Sequence, residues 1–101
     1  MILYINTKDQ NEIRVSLKKE GRIVKSLSEK NEYGSQVLLP LIRKLLRTYT
    51  PGMEVRLDGI EVETGPGSFT GLRVGVSVAN ALGFTLNIPV NGKKMETEIR
   101  Y

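Results

Sequence analysis

The chain contains no histidine, no cysteine and no tryptophan among its 101 residues. Without cysteine there is no disulfide and no thiol nucleophile. Without histidine there is no imidazole base and no zinc site of the usual kinds, so most self-contained catalytic designs are removed. The remaining candidates are Lys, Tyr, hydroxyls and 11 carboxylates. The carboxylates stand mostly singly at positions that read as strand surface or turn, and no convergent pair is visible. Met1 leads directly into the short apolar run Ile2 to Ile5, with no basic segment, long apolar stretch or cleavage site there. Secretion and membrane insertion are therefore disfavoured, and a cytoplasmic location is expected.

What is present fits one small soluble domain with one core, at 40% hydrophobic and 26% charged residues. The net charge of +4 would suit a polyanion such as RNA. However, Lys18, Lys19, Arg22 and Lys25 sit where the solvated face of a hairpin would carry them anyway. The aromatics Tyr4, Tyr33, Tyr49, Phe69, Phe84 and Tyr101 are scattered along the chain and form no evident stacking platform.

Ile2 to Ile5 reads as a strand buried on both faces, hence central in a sheet. Ile13, Val15 and Leu17 alternate with Glu12, Arg14 and Ser16, the period of a half-buried strand, and Glu20-Gly21 turns the chain into a further strand from Arg22 to Leu27. Ser35 is placed to cap a helix running to about Tyr49, stopped by Thr50-Pro51-Gly52. The apolar residues of that helix, Val37 to Tyr49, spread over an arc of roughly 200 degrees, about twice the stripe one surface requires, so the helix should touch two things. Pro40 should bend it. Ile60 to Glu63 gives another strand, apolar residues from Leu72 to Leu82 a second helix, and Ile88-Pro89-Val90 a short last strand, a series that implies parallel neighbours with a crossover. Gly71, Gly75 and Ala79 recur at every fourth position of the second helix, with Val74, Val78 and Leu82 beside them. This stripe lets another backbone approach closely, whether that of the first helix, the sheet or another chain.

The most specific stretch is Thr64-Gly65-Pro66-Gly67-Ser68-Phe69-Thr70-Gly71-Leu72-Arg73, a rigid turn joining a strand to a helix that Ser68 or Thr70 would cap. Free N–H groups at such a helix start make an anion or nucleotide loop of Gly65, Gly67, Ser68, Thr70 and Arg73 one candidate and a purely structural turn the other. A phosphate loop of the Walker type would need Lys followed by Ser or Thr after its last glycine, whereas Leu72 and Arg73 follow Gly71. A dinucleotide loop would want an acidic residue about 20 positions on, and none occurs between Glu63 and Glu96.

These residues carry a resemblance. Ile2-Leu3-Tyr4-Ile5-Asn6-Thr7, Leu38-Leu39-Pro40-Leu41-Ile42 and Gly65-Pro66-Gly67-Ser68-Phe69-Thr70-Gly71-Leu72-Arg73-Val74-Gly75-Val76 resemble the first lobe of the bacterial TsaB (YeaZ) family, over residues 1 to about 92. The resemblance implies an α/β lobe of the ribonuclease H-like or actin-like ATPase kind, with a five-stranded mixed sheet and two main helices. It also implies a role in tRNA processing, as the non-catalytic scaffold that partners a TsaD-like protein in making N6-threonylcarbamoyladenosine at position 37 of tRNAs. The implied partner interface uses helix surfaces of the lobe: Leu38, Leu39, Ile42, Leu46, Gly71, Gly75, Val78, Ala79 and Leu82. A homodimer is expected when the chain is alone, with tRNA met only indirectly. No metal and no cofactor are expected on this chain alone, with ATP or ADP confined to a complex.

Two departures qualify the resemblance. The family opening Ile-Asp-Thr-Ser carries a carboxylate where this chain has Asn6, and an amide supplies no negative charge, so ATP hydrolysis is not expected. The usual protein also continues into a second lobe, without which a nucleotide cleft between lobes is incomplete. The charged ending Lys93 to Tyr101 reads as a tail beyond a lobe of residues 1–92, and its departure from the family pattern favours a naturally reduced protein over a fragment.

Overall fold

The computed structural model describes residues 1–30, 35–49 and 55–101, without the side chain of Ser35. In chain order the elements are β1 (Ile2–Asn6), β2 (Glu12–Lys19), β3 (Arg22–Lys30), α1 (Ser35–Tyr49), β4 (Gly59–Val62) and α2 (Phe69–Leu86). The strands form one mixed sheet in the order β3-β2-β1-β4, with β1 antiparallel to β2 and parallel to β4. The β2–β3 turn has positive φ at both Glu20 (53°) and Gly21 (79°). That backbone twist matches the right-handed twist of the flanking strands.

The register explains the core. Leu3 lies opposite Leu17 and Ile60, and Ile5 opposite Val15 and Val62, so one pleat face collects every inward apolar residue of three strands. Both helices cover that face. α1 packs on β2 and β3, α2 packs on β4 and β1, and the helices meet each other. Leu38, Leu41, Ile42 and Leu45 of α1 and Leu72, Val76 and Ala79 of α2 are buried. The sequence expectation that β1 is buried on both faces holds on this side only. On the other, Ile2, Tyr4 and Asn6 are half-buried, shielded by neighbouring strands rather than by a further layer among the described residues.

The expected fifth strand is a correction. Among the described residues the sheet has four strands, and the fifth place is a single parallel bridge between Ile60 and Val90. Ile60 N donates to Pro89 O and Asn91 N to Ile60 O, but a ladder does not propagate. Pro89 has no N–H, and Asn91 (φ 52°) and Gly92 (φ 75°) reverse the chain at once, with Val90 and Lys93 exchanging both backbone hydrogen bonds. The Asn91 side chain supplies the next rung, accepting from Val62 N at 2.8 Å and donating to Val62 O at 3.1 Å.

α2 is longer than the Leu72–Leu82 span read from its apolar residues. Ser68 caps it by accepting from Gly71 N at 3.2 Å, and Asn87 ends it in the left-handed conformation. The Thr50-Pro51-Gly52 stop and the capping role of Ser35 lie outside the described residues and side chains.

Candidate docking face and glycine loop

The two helices leave a groove where they meet on the side away from the sheet. Its volume is about 710 Å³, and it is lined by Leu39, Ile42, Leu46 and Leu82 with Arg43, Lys44 and Arg47 among its walls. A shallower depression adjoins it, sharing Leu39 and Leu82 and adding Val78 and Ala81. The overwide arc of α1 accounts for this. One half of the arc fills the core, while Leu39, 51% exposed, and the half-buried Leu46 turn toward the groove. Among the expected interface residues, Leu39, Leu46, Val78 and Leu82 are therefore brought together on one accessible surface.

Gly71, Gly75, Ala79 and Leu38 lie in the interior, and Ile42 forms the floor of the groove at 4% exposure. The small-residue stripe is an approach of α2 to the end of β1. A Cβ on Gly71 would collide with the Thr7 carbonyl, and one on Gly75 with the Thr7 hydroxyl. That hydroxyl is buried and donates to Gly71 O at 2.5 Å, so its polarity is satisfied inside the chain.

The glycine loop is held against the same strand end. Ser68 N donates to Lys8 O at 2.8 Å, and a Cβ on Gly67 would stand 2.6 Å from that carbonyl. Gly65 (φ 119°) lies under the Arg100 backbone, whose N donates to Thr64 O at 2.7 Å. A cavity of about 210 Å³ opens beside the start of α2, lined by Thr7, Gln10, Ile13, Ser68, Thr70, Gly71 and Val74. Ser68 and Thr70 thus reach the cavity. Gly65 and Gly67 are taken up by backbone packing, and Arg73 stacks on Phe69 instead, with its guanidinium carbon 5.3 Å from the ring centroid. No group of His, Cys, Asp or Glu able to hold a metal occurs among the described residues. Asn6 Oδ1 accepts from Lys8 N, closing its own turn.

Sequence reasoning missed a polar cluster that ties residues 93–101 to the fold. Asn80 donates to Glu96 O and accepts from Glu96 N, both at 2.8 Å. The Glu96 carboxylate, 6% exposed, accepts from Asn91 Nδ2 and Lys93 Nζ, each at 2.8 Å, and from Thr97 N at 3.1 Å. Burial alone would raise its pKa, but the hydrogen bonds from Lys93, Asn91 and the Glu98 backbone hold it below the ordinary range. The dipeptide Asn91-Gly92 was the available signal, being a strong tight-turn pair. On the outer sheet face, burial and the hydrogen bond to Glu63 push the Tyr4 hydroxyl pKa up, while Lys18 pairs with Glu61 at 2.8 Å and lies over the Tyr4 ring.

The family model described as TsaD, tRNA N6-adenosine threonylcarbamoyltransferase, matches residues 15–92. The TsaB protein of Buchnera aphidicola from Schizaphis graminum, described as a tRNA threonylcarbamoyladenosine biosynthesis protein, is 35% identical over 95 residues. This is 91% of this chain and 43% of that protein. The tRNA N6-adenosine threonylcarbamoyltransferase of Nitrosospira multiformis is 42% identical over 73 residues, 71% of this chain and 20% of that one. Among solved structures, YeaZ from Pseudomonas aeruginosa superposes with a TM-score of 0.75 at 35% identity, covering 88% of this chain and 41% of that chain. The chain thus spans less than half the length of these relatives.

Proposed function

We propose that this chain, which belongs to the tRNA N6-adenosine threonylcarbamoyltransferase family as a member of the TsaB (YeaZ) type, is a non-catalytic cytoplasmic scaffold. In this reading it docks a TsaD-like protein through the groove between α1 and α2 during threonylcarbamoylation of tRNA, and meets tRNA only through that partner. The observation that carries the reading is the groove itself, an apolar seam of Leu39, Leu46, Val78 and Leu82 that two core helices leave open to solvent. Continuous apolar surface of this kind between helices is what a partner helix covers.

Size exclusion with light scattering, on the chain mixed with a TsaD-family protein, tests it. A mixed complex is expected, and Leu46→Asp or Leu82→Asp should weaken it about tenfold or more, as truncation of a buried interface anchor does. Both positions are only partly buried, and circular dichroism checks that the variants keep their fold. Persistence of both proteins as separate species overturns the reading. The alternative, a small nucleotide- or anion-binding domain, draws on the cavity beside Ser68 and Thr70. Cofactor binding by this chain alone is not part of the scaffold reading.

A further inference from the structure

β3 stands at one end of the sheet, so the N–H and C=O groups of its outer side meet no strand among the described residues. Exposed apolar side chains gather on it, Ile23 at 57% and Val24 at 39%. Its register with β2 shifts once, between Leu17 and Lys18, and then runs unbroken from Lys25 opposite Leu17 to Lys30 opposite Glu12. Within that run Lys25, Leu27 and Glu29 lie opposite the core residues Leu17, Val15 and Ile13, hence on the side of the sheet that α1 covers. Lys25 and Glu29 are nevertheless exposed and Leu27 is half-buried, so α1 does not overhang the edge there. Neither charge belongs to a salt bridge found among the described residues.

An edge strand offers the N–H and C=O groups of alternate residues only, so two copies joined antiparallel about a two-fold axis must be centred on a residue. Opposite charges directly across such a pair stabilise it and like charges destabilise it, which separates the possible registers. Centred on Lys25, that lysine would face its own copy. Centred on Ser26, Arg22 would face Lys30 of the second copy. Centred on Ser28, Glu29 would face Leu27 of the second copy. Centred on Leu27, Lys25 faces Glu29 of the second copy, the two-fold axis repeats the pair, and the two Leu27 side chains meet between them. Charges on an edge strand ordinarily keep other strands away; here one register turns them into mutual partners. We propose that β3 is a self-pairing edge, through which two copies join antiparallel over Lys25 to Glu29, centred on Leu27, into one continuous sheet. None of these residues lines the groove between α1 and α2, so the pair leaves that groove open and the inference stands apart from the docking reading. The expected homodimer is thereby moved from the helix surfaces to the sheet edge.

The chain has no cysteine, so single-cysteine variants report the register directly. Paired residues of neighbouring antiparallel strands stand about 4.5–5.5 Å apart at Cα, within the reach of a disulfide. Under mild oxidation Leu27→Cys should cross-link to its own copy, whereas Ser28→Cys, which faces Ser26 of the second copy, should not. Analytical ultracentrifugation supplies a second measurement, because Lys25 and Glu29 are exposed and their exchange leaves the core untouched. Lys25→Glu or Glu29→Lys turns two attractive pairs into two repulsive ones, and each should raise the concentration of half-association about tenfold or more. The double variant Lys25→Glu, Glu29→Lys restores both pairs and should return it to the native value. Circular dichroism verifies the fold of each variant. A native chain that stays monomeric up to millimolar concentration overturns the inference. So does cross-linking through Ser28→Cys without cross-linking through Leu27→Cys, or a dimer indifferent to both charge reversals. A dimer lost in Leu82→Asp and kept in Lys25→Glu also overturns it, by placing self-pairing on the helices.

Discussion

Thr7, the residue after β1, is 1% exposed and its hydroxyl is bonded to the Gly71 carbonyl, and Gly75 leaves the space into which that hydroxyl fits. Glycine in a helix interior costs up to about 1 kcal/mol relative to alanine, so an open Gly75 would gain from Gly75→Ala. Here the new methyl would overlap a buried oxygen held by its own hydrogen bond. Overpacking of that kind costs about 1–3 kcal/mol, and for a domain of this size each kcal/mol lowers Tm by roughly 4–8 °C. Gly75→Ala should therefore lower Tm, while Ser77→Ala on the exposed face of the same helix should leave it nearly unchanged. An unchanged or raised Tm in Gly75→Ala would show that the helix stands further from β1 than described. Thr7→Val keeps the shape and removes the donor, so the Gly71 carbonyl keeps only its bond within the helix and loses the one from Thr7, at about 0.5–1.5 kcal/mol. Denaturant unfolding measures that loss, with the slope unchanged if only the native contact is altered.

At the scale of elements, the free edge of β4 is closed by side chains rather than by a strand. Asn91 extends the ladder by one rung, Asn80 of α2 clasps the Glu96 backbone, and the Glu96 carboxylate gathers Asn91, Lys93 and Thr97. The Glu96 pKa lies below its ordinary value of 4.5 in the folded chain. The ionised form therefore stabilises the fold above that value, and the contribution is lost as pH falls through the lower folded value. Glu96→Gln should be less stable than the native chain at pH 7, and the difference should shrink across the acid window below the ordinary value of 4.5. A difference constant across that window would mean that the amide loses packing rather than charge. The strands and helices were legible because their apolar residues follow periods of 2 and 3.6. The closure of the β4 edge was not, because it depends on polar partners distant along the chain, Asn80 and Glu96 standing 16 positions apart and Val62 and Asn91 29. Pattern alone likewise left the stripe of Gly71, Gly75 and Ala79 open between sheet and partner, because a small-residue face states that something comes close without saying what.

Across the whole molecule, both helices lie on one side of the sheet, and the cavity at the start of α2 belongs to a single lobe. Its wall consists of Thr7, Gln10, Ile13, Ser68, Thr70, Gly71 and Val74, a set with hydroxyls and an amide but no cation to meet phosphate charge. The Ser68 hydroxyl oxygen is already engaged by Gly71 N, and Arg73 lies on Phe69. The glycine motif was readable as a loop that approaches backbone closely. Which backbone it approaches, Lys8 for Gly67 and Arg100 for Gly65, was hidden in contacts distant in sequence. Under the scaffold reading a nucleotide gains little here. Binding stabilises by RT ln(1 + [L]/Kd), so a ligand present at its own Kd adds about 0.4 kcal/mol, or roughly 2–3 °C in a domain of this length. ATP or ADP at about 1 mM should accordingly shift Tm by less than about 1 °C if the affinity is weaker than several millimolar. A shift of several degrees that vanishes in Ser68→Ala, with the uncomplexed variant still folded, would instead move the functional centre from the groove to the start of α2. A shift that survives in Ser68→Ala but is lost in Arg73→Ala would place the phosphate on the outer side of the helix, against Phe69, and would equally displace the scaffold as the only role of this lobe.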